Sequence, residues 1–150
     1  MAVSAKWYGT PIKNWMTGSA AVDFDSDTIK VALATSEYTP NQDTDEFFSN
    51  VTHELASEHG YTAGGVTLSS KAVTYDAASN ESRFDAEDVS WTASGGSLTA
   101  RYAIIYKSTG TSTTSPLLGW VDFGENNTVG SGAKFVIEWA STGILKIKAE

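Results

Sequence analysis

The stretch "TARYAIIYK" (residues 99–107) places Ala100, Tyr102, Ile104 and Tyr106 on one side of the chain and Arg101, Ala103, Ile105 and Lys107 on the other. A period of two belongs to an extended strand, whose successive side chains point to opposite faces; a helix would need apolar residues three and four apart. Ala103 and Ile105 make the second face apolar as well, so this strand is expected to be covered on both sides.

The same alternation recurs on either side. In "TIKVALAT" (28–35), Ile29, Val31 and Leu33 oppose Lys30, Ala32 and Ala34, and in "AKFVIEWA" (133–140), Phe135, Ile137 and Trp139 oppose Lys134, Val136 and Glu138. "GILKIKAE" (143–150) follows, with Ile144, Leu145 and Ile147 as its apolar positions, and "ASTG" with Gly143 reads as a hairpin turn joining these last two strands. "GVTLSSKAVTYD" (65–76), "ESRFDAEDVSW" (81–91) and "LLGWVDFG" (117–124) add short β-branched or aromatic segments bounded by turn residues. The Gly-, Ser- and Thr-rich stretches "TAGG", "TASGGS", "KSTGTSTTSP" and "ENNTVGSG" read as connecting loops. Within them, the biased "STGTSTTS" is expected to be the least ordered.

One segment departs from this pattern. In "TPNQDTDEFFSNVTHELA" (39–56), Phe47, Phe48, Val51 and Leu55 have the spacing of one helix face, and Asp43, Asp45 and Glu46 precede them where acidic residues favour a helix N-terminus. A helix over 43–50, continuing toward 56, is therefore expected. The chain as a whole reads as a mostly β, single-domain antiparallel β-sandwich (jelly-roll-like) or barrel of roughly eight strands with one short helical insertion.

Composition narrows the function. A chain of 150 residues, 41% hydrophobic, can bury a core without a metal or disulfide staple, and cysteine is absent, which excludes thiol catalysis and Cys-based zinc sites. Eighteen acidic residues against ten basic ones give a net charge of −8, and Arg occurs only at Arg83 and Arg101. A phosphate-binding surface needs clustered Lys and Arg, so nucleic acid and anionic membranes are not expected partners. No run approaches the ~18 apolar residues of a membrane-spanning helix. "MAVSAKWYGT" carries no signal-like apolar stretch, so the protein is expected in the compartment where it is made.

The candidate chemical sites are each weak. In "FDAEDVSW" (84–91), Phe84, Ala86 and Val89 are expected to turn inward, while Asp85, Glu87 and Asp88 lie outward as a solvated strand edge beside Trp91. A catalytic carboxylate pair needs one desolvated member, which three exposed carboxylates do not provide. Asp23, Asp25 and Asp27 in "DFDSDT" alternate like the first ligands of a calcium loop. However, Thr28 and Ala34 stand where an EF-hand needs Gly and Glu. His53 and His59 in "HELASEH" miss the HExxH spacing, and no GxSxG elbow or phosphate-cradling loop occurs. Neither a cofactor nor a resident metal is expected.

The five tryptophans, Trp7, Trp15, Trp91, Trp120 and Trp139, span the chain. Trp120 and Trp139 sit in apolar strands. Trp7, Tyr8 and Trp15 precede the first clear strand, so residues 1–20 are expected to form an N-terminal contact arm. Such aromatics serve as core, as protein-interface anchors or as sugar-stacking surfaces.

In order along the chain, "MAVSAKWYG", "GYTAGGVTL", "VTYDAASN", "DAEDVSWTAS", "LTARYAIIYK", "SPLLGWVDFG" and "FVIEWASTGILKI" together resemble a family of small β-rich structural proteins of tailed-bacteriophage virions. The resemblance spans almost the whole chain and rests on the order of strands and turns. It implies a non-enzymatic head decoration (cement) protein, made in the host bacterial cytoplasm and bound to the outer surface of the head. The implied partners are the major capsid protein and further copies of itself, as in a trimer. A tail or fibre protein, or a carbohydrate-binding module, is the alternative.

Overall fold

The computed structural model describes residues 2–150. At its centre β7 (Leu98–Lys107) lies between β8 (Leu117–Val129) and β2 (Ile29–Ala34). With β1 (Lys6–Trp7) and β3 (Val66–Thr67) they form a five-stranded sheet of order β1-β8-β7-β2-β3, all pairs antiparallel. Ala103, Ile104, Ile105 and Tyr106 are buried in succession, so β7 is covered on both faces as its two apolar sides require.

Each face of this sheet carries its own core. Ile29, Val31, Leu33, Ala103, Ile105 and Val121 pack against two smaller sheets. One has the order β10-β5-β4, from Leu145–Lys148, Glu81–Asp85 and Ala72–Asp76, and the other pairs β6 (Val89–Thr92) with β9 (Lys134–Ile137). Phe84, Leu145, Trp91, Phe135 and Ile137 are their contribution to this core. On the opposite face, Ala32, Ala34, Ile104 and Leu117 meet Tyr8, Tyr38, Phe48 and Val51. The fold is thus mostly β, built of antiparallel sheets as a sandwich is, and it does not close into a barrel.

Among the described residues the single α-helix lies elsewhere than expected. α1 spans Gly9–Thr17, within the proposed arm. Pro11 stands in its first turn, where a missing N–H costs little. Gly18, at φ 71°, ends the helix with its N–H on the Trp15 carbonyl, and Ser19 N–H reaches Asn14 O. Residues 43–56 are not an α-helix. They hold turns, a 3₁₀ turn at Phe48–Asn50 and extended chain that bridges Ala34 at Glu54. Asn41 Oδ1 accepts from Asp43 N and Thr44 N, which a helix starting at 43 would leave free in any case, but Asn50 Oδ1 takes the Glu46 and Phe47 N–H groups that such a helix would give to its own carbonyls.

Three further expectations change. β9 and β10 are not a hairpin; they belong to different sheets. The N-terminal chain runs beside their connection, with Val3 N on Glu138 O, Ala140 N on Val3 O and Ala5 N on Ile144 O. Residues 125–129, read as a loop, continue β8, where Leu98 faces Val129 and the Thr99 and Thr128 hydroxyls bond at 2.7 Å. The Thr/Ser-rich turn is internally bonded: Ser115 Oγ donates to Thr111 O at 2.8 Å and accepts from Thr109 N at 3.0 Å.

Candidate interaction surface

The residues proposed as a contact arm fold back onto the body. Trp7 and Trp15 meet edge to face, with centroids 5.2 Å apart, and both pack on Phe24, which in turn packs on Phe84 of the core. Trp7 Nε1 donates to Lys146 O at 2.7 Å. Both tryptophans are half-buried. Tyr8 is 0% exposed, so it offers no surface to a partner, and its place in the expected arm is corrected to core. Its hydroxyl bonds that of Tyr38 at 2.8 Å, and Tyr38 donates to Asp45 Oδ2 at 2.8 Å. Burial pushes both phenols well above their ordinary range. Gly9 N to Gln42 O, Thr10 Oγ1 to Asp45 O and Asn14 Nδ2 to Glu46 Oε1 complete the seam between the N-terminal segment and the 38–46 loop.

What the arm leaves open is the free end of the β10-β5-β4 sheet. In its register, Val73 lies across from Phe84 and Leu145, and Tyr75 from Ser82 and Ile147. Phe84 and Leu145 of the first row enter the core. The outer strand and the end of the second row extend beyond it: Val73, Tyr75 and Ile147 are 46%, 59% and 45% exposed, and Val73 and Ile147 line a groove of about 60 Å³ with Trp7, Phe24, Phe84 and Leu145. Ile147 is one of the apolar positions read in 143–150, and 65–76 one of the short β-branched or aromatic segments. The Val73–Tyr75 alternation was visible there, but alternation cannot report where the covering layer stops.

The other sequence candidates serve the fold. Asp85 ends β5, and Glu87 and Asp88 lie in the link to β6 rather than along a strand edge. Asp88 Oδ1 accepts from Trp139 N at 2.8 Å, the Glu87 carbonyl takes Trp139 Nε1–H at 3.1 Å, and Glu87 Oε2 accepts from Ser69 Oγ. Asp23 Oδ1 caps the N–H groups of Asp25 and Ser26, while Asp27 bonds Asp23 N and pairs with Lys107 Nζ at 2.9 Å. Their carboxylates are used locally and separately. His53 and His59 stand in left-handed backbone, at φ 56° and 53°, each beside a glutamate. Among the described residues no three His, Asp or Glu side chains converge as a metal site would require.

A second concavity of about 240 Å³ includes Glu54, Glu58, His59, Ser97 and Thr99. Glu54 Oε1 is already taken there by Tyr61 Oη–H, at 2.7 Å, and by Gly64 N–H. No protein-family model, no curated protein and no solved structure matches this chain.

Proposed function

We propose that this chain is a non-enzymatic structural protein of a tailed-bacteriophage virion, a decoration (cement) protein bound to the outer surface of the head. Its class rests on the resemblance of its ordered strand and turn motifs. One observation supports the surface it would use: three large apolar side chains, Val73, Tyr75 and Ile147, stand exposed on a hydrogen-bonded sheet whose other end is locked into the core. A rigid aromatic and aliphatic patch binds with little loss of side-chain entropy, which favours it as an anchor on the major capsid protein. The net charge of −8 then keeps the remaining surface hydrated and discourages casual aggregation. On a shell, several modest contacts per copy add through effective concentration.

The decisive measurement is the copy number of this chain in purified virions relative to the major capsid protein. A ratio within a few-fold of one supports decoration of the whole shell. A few copies per particle would move the protein to the tail or fibre, and absence from the particle would overturn the virion reading.

A further inference from the structure

β4 (Ala72–Asp76) is the outer strand of its sheet. It pairs only with β5, and among the described residues no other backbone hydrogen bond reaches it. An open edge is a template for another strand, and proteins ordinarily blunt one with Lys, Pro or a bulge. The opposite edge of the same sheet is guarded in this way, because β10 carries Lys146 and Lys148. β4, "AVTYD", has no Lys and no Pro, and its register with β5 is unbroken. Its one charge, Asp76, is held by Arg83 at 2.7 Å. Residues 72–75 are exposed.

We propose that β4 pairs antiparallel with β4 of a second copy of this chain, about a two-fold axis at Thr74. The two three-stranded sheets then become one continuous sheet. In this register Thr74 faces Thr74, Val73 faces Tyr75 and Ala72 faces Asp76 of the second copy. The charges are compatible, since no like charges face one another directly across the new ladder and Asp76 meets a neutral residue. Registers centred on Val73 or Tyr75 leave part of the strand unpaired, whereas centring on Thr74 uses all of it. The Val73–Tyr75 contacts are aromatic to β-branched cross-strand pairs, which stabilise a ladder. They also join the row Leu145–Phe84–Val73 of one copy to Tyr75–Ser82–Ile147 of the other, so two exposed apolar patches become one.

A five-residue ladder buries less than the ~1,200 Å² at the lower end of stable interfaces, so the association is a concentration-dependent equilibrium. This inference adds the backbone edge of β4 to its apolar face, and it stands whether or not the chain belongs to a virion.

The absence of native cysteine makes the test direct. Residues facing one another across an antiparallel ladder have Cα atoms about 4.5–5.5 Å apart, within disulfide range. The purified full-length Thr74→Cys variant under mild oxidation is expected to form a covalent dimer at least about tenfold faster than a Thr113→Cys control in the exposed 109–114 turn. In sedimentation velocity, the unaltered protein is expected to shift from monomer to dimer with rising concentration. Thr74→Lys, which puts two ammonium groups across the axis, is expected to stay monomeric, and mixing it with Thr74→Glu is expected to restore dimers. Equal cross-linking of the two cysteine variants would overturn the proposal. So would a Thr74→Lys protein that dimerises as well as the unaltered chain.

Discussion

Trp7 donates its indole N–H to the carbonyl of Lys146 at 2.7 Å, so the first strand of the fold is fastened to the last across 139 positions of sequence. The same ring packs on Trp15 and Phe24. Replacing Trp7 to probe a partner would therefore also unfasten the fold. Trp7→Phe keeps most of the packing and loses the hydrogen bond, an expected cost of about 1 kcal/mol. Trp7→Ala also opens a cavity in the aromatic cluster, and about 3 kcal/mol is expected. Urea unfolding midpoints of the two variants check the difference.

Partner contacts are better probed where the fold does not depend on the side chain. A Tyr75→Ser, Ile147→Ser double variant is expected to lower the thermal midpoint by only a few degrees, because about half of each side chain stands in water. Occupancy on capsids is expected to fall by at least tenfold, the loss typical of removing interface anchors worth about 2 kcal/mol or more. Quantitative gel densitometry of reconstituted particles reads the outcome.

Alkaline pH should unfold the protein through its tyrosines. Burial raises the phenols of Tyr8, Tyr38 and Tyr61, with Asp45 and Glu54 adding to it, and pushes Tyr106 up to about 12. In the unfolded chain these groups ionise near 10. Above that pH the unfolded state has released protons that the folded state still holds, so stability is present below about pH 10 and declines as pH rises. Absorbance at tyrosinate wavelengths and circular dichroism are expected to change together, in one transition.

Acid acts through the carboxylates. Arg101 holds Asp122 below the usual carboxylate range, as Arg83 does Glu81, and the Ser79 hydroxyl lowers Asp76. A group with a depressed folded pKa contributes stability above its unfolded value, near 4, and loses it as pH falls through the folded value. Thermal midpoints are thus expected to drop below about pH 4. Asp122→Asn should make that drop shallower.

Gly65 and Gly95 separate backbone conformation from space. Their φ angles are +74° and +73°, but a Cβ on Gly65 would lie 1.8 Å from the Val31 carbonyl oxygen, whereas one on Gly95 meets nothing within 4 Å. Gly95→Ala is expected to cost about 1–2 kcal/mol, the left-handed penalty alone. Gly65→Ala adds a clash with the β2 backbone and should exceed it by a further ~2 kcal/mol or prevent folding. Denaturant titration of both proteins decides this.

Local sequence determined the strands whose two faces differ in polarity or are both apolar. The alternation in 28–35, 99–107 and 133–137 is a property of neighbouring side chains, and it survives in any packing that offers a core. The turn at Gly64–Gly65 was legible for the same reason, since adjacent glycines accept positive φ. What depended on distant partners was not legible. α1 stands where the segment meets β8 and its Gly18 cap, while the apparent helix of 43–56 lost the Glu46 and Phe47 N–H groups to Asn50. Tyr8 became core because Tyr38 and Trp120 arrive from elsewhere in the chain. The exposed patch of Val73, Tyr75 and Ile147 was likewise decided in three dimensions. Periodicity makes a face apolar, but only the extent of the layer above it determines how much of that face stays in water.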